Sequence, residues 1–447
     1  MDKNILDIIN NEAYEELQLL FSHMNAVDIA DVLEQAEEGK AIAAFRLLPP
    51  DEDLATEVFS YISPGRQQLF VQKLSAEEVE DILEDLSVDD IVDFIDEVPE
   101  EISKYVLESV SPEKGEMVDR ILDYPEDSAG RLMNTEFIEL SPEVTAQDAL
   151  HTIRTSGVDK ENIYTCYVVD EARGLVGVVT ADVILYAPLN AKIGEIMDTN
   201  VISAQVADDR EEIANTFSKY DLLALPVVNR RGQLMGIVTV DDILRIIHHE
   251  DTEDFEQMAG IINPSDEPYL RTGVVTHAKN RILWLLVLML TAAITGAIIS
   301  TFEDALAVLP ILAVFIPMLM GAGGNAGAQS STVVIRGMAL GEIKTSDTLR
   351  LVWRETRIAL VCSLILGVAN FARIAIMYDR DFHLAWVVTL SLAATLIVAK
   401  IIGCTLPIAA KKLKLDPSLM AAPLLTTIVD CTALIVFFAV ARVVFTL

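Results

Sequence analysis

Residues 418–441 read SLMAAPLLTTIVDCTALIVFFAVA, a stretch long enough to form a helix that crosses a bilayer. Its only charged side chain is Asp430, which lies near the middle. A carboxylate at that depth costs at least about 2.5–3.5 kcal/mol on insertion scales, so it usually faces a bundle interior or a watery path. The stretch therefore predicts a transmembrane helix with a conduction or transport site. The alternative is a structural ion pair with Arg373 or Lys400, the two cations inside other apolar segments.

Four more apolar segments precede this stretch, and basic loops lie between some of them. The loops at 336–357 and 411–417 are rich in Lys and Arg, so the positive-inside rule places them in the cytoplasm. We therefore expect a multi-pass protein of the cell (inner) membrane with cytoplasmic N-terminal domains and its C-terminus outside. The five expected spans lie near residues 282–301, 305–335, 358–378, 384–410 and 418–445.

The second span contains a glycine-rich run, PMLMGAGGNAGAQSS, at residues 317–331. Irregular backbone at membrane depth is tolerated where protein buries it or water lines it. We expect a break in the helix here, with backbone carbonyls near Gly324 and the amide oxygen of Asn325 lining a path. The alternative is a seam of small residues that lets helices pack closely.

The two parts of the chain differ sharply in charge. Residues 1–280 hold 59 acidic and 20 basic side chains, a net charge of −39, whereas residues 281–447 have a net charge of +4. The negative field of the N-terminal part excludes nucleic acid and anionic lipid as its partners and attracts cations. The four cysteines have no metal-ligand spacing, and the acidic start does not resemble a signal peptide. The sequence also has no P-loop, and we expect no enzyme.

The acidic part contains two kinds of pattern. Residues 1–125 hold short amphipathic segments that recur about every dozen residues and predict an all-α helical-repeat domain. Residues 131–250 hold a duplication, in which RLMNTEFIELSPEVTAQDAL matches EIMDTNVISAQVADDREEIA. Each copy predicts β-α-β-β-α and carries a Gly-x-x-Thr run just before its closing helix. This resembles tandem cystathionine-β-synthase (CBS) domains, which usually sense a small ligand.

Together these features resemble the MgtE magnesium channel family. The resemblance rests on the runs GGNAGAQSS, APLLTTIVDCTAL and YPEDSAGRLM and on the paired CBS units. It implies a multidomain membrane protein, a homodimer with its pore on the two-fold axis. The expected domains are an acidic helical domain (1–125), tandem α+β CBS domains (126–250), a connector or plug helix (251–280) and a five-helix transmembrane pore domain (281–447).

The resemblance also assigns roles to acidic residues. Asp430 becomes the pore aspartate for transported Mg²⁺, and Asp416 helps to bind ions at the inner mouth. Asp416 also fits a plain helix start before a proline. A regulatory Mg²⁺ sensor is implied in the cytoplasmic domains and connector. Its expected ligands are Asp89, Asp93, Glu211, Asp221, Asp242, Glu250 and Glu253.

Two departures from the family pattern affect regulation. CBS domains that bind adenine nucleotides commonly carry an Asp three residues after the Thr of Gly-x-x-Thr. The second unit keeps it as Asp242, whereas the first has Val183, which puts regulation by ATP in doubt. Arg245 stands where the family can carry a polar or acidic group, so the set of sensor ions is expected to be smaller or shifted.

Two other functions fit parts of the sequence. In a proton- or sodium-coupled carrier of divalent cations, Asp430 would titrate or bind Na⁺ during alternating access, although five spans do not divide into two repeats. A membrane receptor that signals through its CBS domains would give Asp430 no task. Flux through the purified protein separates these alternatives.

Overall fold

Short amphipathic helices make up the first part of the computed structural model, which describes residues 2–49, 54–156, 160, 162–261, 269, 272–420 and 422–445. Ser75 and Ser87 cap two of them by accepting hydrogen bonds from backbone N–H groups, which fixes where those helices begin. The helical prediction for residues 1–125 is confirmed. The helices are α1 (Asp2–Asn10), α2 (Tyr14–Phe21), α3 (Ala26–Gln35), α4 (Glu38–Phe45), α5 (Leu54–Tyr61), α6 (Pro64–Lys73), α7 (Ala76–Asp85), α8 (Val88–Glu97), α9 (Glu100–Ser109) and α10 (Pro112–Leu122).

Alternate helices pack on one another in this domain: α3 on α5, α5 on α7, α7 on α9, and α6 on α8. The core between them is dry and aromatic, and Phe59 meets Phe94 edge to face with ring centroids 5.8 Å apart. Most of the acidic side chains therefore remain on the outer faces, where they can meet a partner surface or cations.

The duplicated region forms two α+β units, each with a three-stranded sheet whose first pair is parallel and second antiparallel. This confirms the predicted tandem CBS fold. A short helix α11 (Ala129–Leu132) precedes the first unit. That unit contains β1 (Phe137–Leu140), α12 (Ala146–Ser156), β2 (Asn162–Val169), β3 (Leu175–Thr180) and α13 (Ala181–Tyr186). After α14 (Ile193–Ile196), the second contains β4 (Ala204–Gln205), α15 (Arg210–Tyr220), β5 (Ala224–Val228), β6 (Leu234–Thr239) and α16 (Val240–Met258).

In the part of the chain that the structure describes, five helices are long and apolar enough to cross a membrane, by length and composition, as the sequence predicts. They are α17 (Val274–Thr301), α19 (Ile316–Ala339), α20 (Thr348–Met377), α21 (Phe382–Lys412) and α22 (Ala422–Phe445). A short helix α18 (Glu303–Val308) and a 3₁₀ segment (Pro310–Phe315) lead into α19. Helices α19, α21 and α22 form the packed centre, whereas α17 has no buried residue.

The chain divides into an N-terminal unit, residues 1–248, and a C-terminal unit, residues 249–447. Helix α16 continues through this boundary to Met258, so it begins before the connector predicted at 251–280. It ends just before Gly260, whose φ of +77° suits glycine. Helix α17 begins at Val274, ahead of the predicted start of the membrane domain at 281. Residues 262–268, with the two prolines of the connector, lie outside the described residues.

The expected break at the glycine run is wrong. Helix α19 is continuous from Ile316 to Ala339, and the irregular backbone lies before it, in the 3₁₀ segment. The reason is close packing: a Cβ on Gly323 would lie 2.7 Å from Thr395 of α21 and 2.9 Å from Val429 of α22. Small residues here let three helices approach, which was the alternative interpretation of this run.

Candidate functional site

Asp430 lies half-buried on α22. Within the described residues it makes no ion pair or hydrogen bond. Arg373 instead donates to the side-chain oxygen of Asn370 at 2.9 Å, and Lys400 lies 3.5 Å from Glu355. The alternative in which Asp430 forms a structural ion pair with Arg373 or Lys400 is therefore wrong. What remains is a mid-span carboxylate with open coordination sites.

The glycine face of α19 lies against the helix that carries Asp430. A Cβ on Gly324 would lie 3.3 Å from the methyl group of Thr426, one turn before Asp430, and Gly327 faces Val429 at 3.4 Å. Asn325 is exposed on a different face of α19, where it lines a cavity with Gln329. The structure thus brings Gly324 near the Asp430 helix and does not bring Asn325 there within the same chain.

Asp416 lies at the start of the last span and is part of a small polar network. Its carboxylate accepts a hydrogen bond from the backbone N–H of Ser418 at 2.8 Å. The hydroxyl of Ser418 donates to Asp254 of α16 at 2.5 Å. Burial raises the pKa of Asp254, the hydrogen bond from Ser418 opposes that rise, and the nearby charge of Asp416 adds to it. The end of α16 therefore contacts the mouth of the last span through paired acids, a position that favours cations.

Glu250 and Glu253 lie together on α16 with His249. One ligand atom from each lies within 4.8 Å of the others, an arrangement that could hold a divalent cation. The side chain of Gln257 also donates to Glu253 at 2.7 Å. The sequence identified the two carboxylates, and the structure places the half-buried His249 beside them.

In the N-terminal unit, α8 carries a group of aspartates toward the CBS units. Asp89 is 7% exposed and accepts a hydrogen bond from the amide of Asn134 at 2.9 Å. Asp90, one residue later, lies 3.9 Å from the guanidinium of Arg245. Arg245 in turn forms a close ion pair with Asp242. Carboxylates from α8 and α16 therefore meet around one resident cation.

Electrostatics in this group favour a bound positive charge. Burial, followed by the nearby charges of Asp90 and Asp242, raises the pKa of Asp93 to about 7, against the opposing effect of Arg245. Burial also raises the pKa of Asp90. Asp93 keeps an open face to water. Water that reaches the carboxylate opposes this rise in its pKa. A further cation near Asp93 would favour its charged form.

The two remaining predicted ligands lie apart from one another. Glu211 is in the first turn of α15, and Asp221 caps its other end with φ 51°. Ten residues of helix separate them by about 15 Å, so one ion cannot bind both side chains. Both are exposed. Their assignment to the sensor stays a prediction.

The predicted sensor residues therefore differ in whether their carboxylates are open to a regulatory ion. Asp93 and the carboxylate group formed by Asp416 and Asp254 are open to a divalent cation. Asp242 is already bonded to Arg245 and to the hydroxyl of Thr239. In the first CBS unit, Val183 is 38% exposed and offers no oxygen. Arg245 thus occupies the space in which an ion between Asp90 and Asp242 would lie.

Sequence reasoning missed several of these residues. Asp254 and Ser418 gave no signal, because they are 164 positions apart and meet only in the fold. Asn134 sits in a short irregular segment without periodicity. Asp90 could have been found, since it is adjacent to Asp89 on an acidic helix.

Comparisons with known proteins agree with this layout. Residues 316–440 match the MgtE family described as a divalent cation transporter, residues 24–127 match the MgtE intracellular N domain, and residues 129–190 and 193–249 match CBS domains. The magnesium transporter MgtE of Bacillus subtilis is 32% identical over 98% of this chain and 96% of its own length. That of Thermus thermophilus is 32% identical over 95% and 94%.

Solved structures are also similar, and one of them bears directly on the N-terminal unit. It is the crystal structure of the cytosolic domain of the Mg²⁺ channel MgtE in complex with ATP. The match covers 55% of the present chain and all of the chain in that structure. Its TM-score is 0.52 and its sequence identity 29%.

Proposed function

The chain belongs to the MgtE family of magnesium transporters, and we propose that it is a homodimeric Mg²⁺ channel for magnesium uptake, gated by cytosolic Mg²⁺. The observation that carries the proposal is Asp430, a half-buried carboxylate in the last span without an ionic partner among the described residues. In a dimer with its pore on the two-fold axis, two copies of Asp430 face one path. The orientation has the N-terminal domains in the cytoplasm and the C-terminus outside.

The chemistry of Mg²⁺ supports this role. The ion dehydrates reluctantly and prefers octahedral oxygen ligands, so proteins often hold it through its water by one or two carboxylates. Two fixed charges at membrane depth favour a divalent ion over Na⁺ or K⁺, since the attraction grows with the charge of the ion. Polar groups near Gly324 on the facing helix complete the path. Gly324 and Asn325 are proposed as pore-lining, with Asn325 reaching the path from the partner's side of the axis.

Gating is proposed to use the acidic groups described above. Cytosolic Mg²⁺ binds Asp93 and the carboxylates of α16, relieves their mutual repulsion and holds the pore closed through the contact of Asp254 with Ser418. When Mg²⁺ leaves, repulsion separates these carboxylates and the pore opens. A ligand shifts such an equilibrium only by its differential affinity for the two states, and the crowding of like charges provides that difference.

Nucleotide regulation is proposed to be weaker than regulation by Mg²⁺. A relative's cytosolic domain binds ATP in its crystal structure. Here only the second CBS unit has the carboxylate suited to ribose, and that residue, Asp242, already bonds Arg245. Nucleotide binding must therefore compete with an internal ion pair.

The test of transport is Mg²⁺ flux into proteoliposomes. Asp430→Asn keeps the shape of the side chain and removes its charge, and we expect uptake to fall at least tenfold, which corresponds to about 1.4 kcal/mol of lost stabilisation. Asp379→Asn, at the opposite end of the membrane domain from the basic loops, is the control and keeps its uptake. Normal uptake and selectivity in the Asp430 variant would exclude the pore role.

Two further measurements address mechanism. Uptake that persists after the proton and sodium gradients are collapsed supports a channel, and uptake that stops supports a coupled carrier. Protection of the N-terminal unit from protease should rise with millimolar Mg²⁺. Unchanged protection would contradict the gating proposal while leaving transport intact.

A further inference from the structure

The C-terminal unit contains a large cavity whose lining does not include Asp430. It has a volume of about 1580 Å³ and lies between α19, α20 and α21, near the segment 340–347 that joins α19 to α20. Ligand pockets usually measure 300–1,000 Å³. This cavity therefore has room for a large ligand with both polar and apolar parts.

Positive charge dominates the lining. Arg336 ends α19, while Arg350, Arg354 and Arg357 follow one another at helical spacing on one face of α20. Of the three carboxylates in the lining, Asp347 lies 3.4 Å from Arg350 and is partly neutralised by it. Within the described part of the chain, Arg336, Arg354 and Arg357 have no carboxylate partner. Three guanidinium groups thus face one remaining acid in the lining, Glu342.

The floor of the cavity is a closed polar network that leaves this charge unneutralised. Ser330 donates to Glu355 at 2.6 Å, and Lys400 donates to Ser330 at 3.1 Å. Lys400 and Glu355 are 5% and 8% exposed. A buried pair of this kind is held by mutual bonds. Glu355 therefore satisfies Lys400 and is not free to compensate the arginines above it.

The walls indicate where the cavity lies relative to the bilayer. Trp353 is 62% exposed, and the guanidinium of Arg357 lies 5.8 Å from its ring centre. Tryptophan at the end of a span is typical of the headgroup level. Residues 358–372 of α20 are uncharged and mostly apolar, and Ile358 also lines the cavity. The arginines therefore lie at the level of phosphate groups, and the apolar wall lies at the level of acyl chains.

We propose that this cavity binds the phosphate headgroup of an anionic phospholipid from the cytoplasmic leaflet. Arg336, Arg354 and Arg357 hold the phosphate oxygens, because guanidinium forks match them in geometry and charge. Basic pockets between transmembrane helices on the cytoplasmic side are known lipid sites. The acyl chains lie along the apolar wall formed by Ile358 and its neighbours on α20. The N-terminal unit repels such lipids, so the site is confined to the membrane half.

The test uses the full chain, purified in detergent after reconstitution with phosphatidylglycerol or phosphatidylcholine. Native mass spectrometry and phosphorus assay measure the lipid that each protomer retains. We expect wild type to retain phosphatidylglycerol selectively. The double variant Arg354→Gln with Arg357→Gln should retain about 30-fold less, since each basic residue near an anionic headgroup contributes several-fold in affinity. The control is Lys411→Gln with Lys412→Gln, which removes equal charge from the other basic loop and should retain lipid as wild type does.

Three results would overturn the proposal. Equal retention of the two lipids by wild type would remove the selectivity. Protection from heat by inorganic phosphate alone, equal to that given by phosphatidylglycerol, would identify the ligand as a free anion. A change in the mass of the oligomer in the Arg354, Arg357 variant, with no change in lipid per protomer, would identify this face as a contact between copies of the chain.

Discussion

Replacing Arg245 with glutamine should make the N-terminal unit depend on divalent cations for stability. In the structure Arg245 pairs closely with Asp242 and lies 3.9 Å from Asp90, and its charge opposes the upward shift of the pKa of Asp93. It is a cation attached to the chain at the centre of a carboxylate group. Without it, the aspartates repel one another unless a solution cation takes its place.

The size of the effect follows from distance and exposure. Two unit charges 3.9 Å apart attract by about 4 kcal/mol at an effective dielectric constant of 20. The side chain of Arg245 is 51% exposed, and exposed pairs are worth only about 0.2–1 kcal/mol. With two close carboxylates we expect a loss of about 1–2 kcal/mol. For a domain of this size that lowers Tm by about 2–8 °C. Mg²⁺ at 100 times its Kd would restore about 2.7 kcal/mol.

The assay is thermal unfolding of the N-terminal unit within the full chain, followed by limited proteolysis at rising temperature, with and without millimolar Mg²⁺. Arg245→Gln should unfold earlier than wild type without Mg²⁺ and gain more from its addition. Arg173→Gln is the control, because it breaks an exposed ion pair with Glu139 on the first CBS sheet. Equal gains from Mg²⁺ in wild type and Arg245→Gln would refute the reasoning.

Substitutions in other regions give predictions that do not involve a bound metal ion. Gly403→Ala should destabilise the membrane domain by about 1–3 kcal/mol, because its Cβ would overlap a backbone carbonyl of α19; thermal unfolding in detergent measures this. Lys400→Met should cost about 3–5 kcal/mol by leaving Glu355 buried and unpaired, and adding Glu355→Gln should recover most of it; an unrecovered loss would contradict pairing as the cause. The hydrogen bond from Arg46 lowers the pKa of Glu78 to about 2. That carboxylate therefore stabilises the fold above about pH 4.3, and the contribution is lost as pH falls toward 2. Glu78→Gln should lose about 1 kcal/mol at pH 7, after allowance for solvent screening, and show a flatter decline in acid.

The sequence was sufficient to predict the helices and strands, but not the contacts between residues that are far apart in the chain. Helical spacing located helices such as α7 and α8, and unbroken apolar length located the five spans. The glycine run was ambiguous because small residues suit both an irregular backbone and a close helix seam. The seam depends on Gly403, which is 76 positions from Gly327. A Cβ on residue 403 would lie 2.3 Å from the carbonyl oxygen of Gly327. No local pattern encodes that complementarity.

Buried charges in both units need a group that offsets them, but the offsetting group differs from site to site. A buried charge must be offset by a partner, by water or by a ligand. Lys400 is offset by Glu355, and the aspartates around Asp242 are offset by Arg245. Among the described residues Asp430 has no such partner, so water or a ligand must offset its charge. In the proposed channel that ligand is a hydrated cation, and Asp430→Asn removes the charge that attracts it. For this reason, that variant should remain as stable as wild type, or become more so, while its transport fails. A purely structural carboxylate would show the reverse.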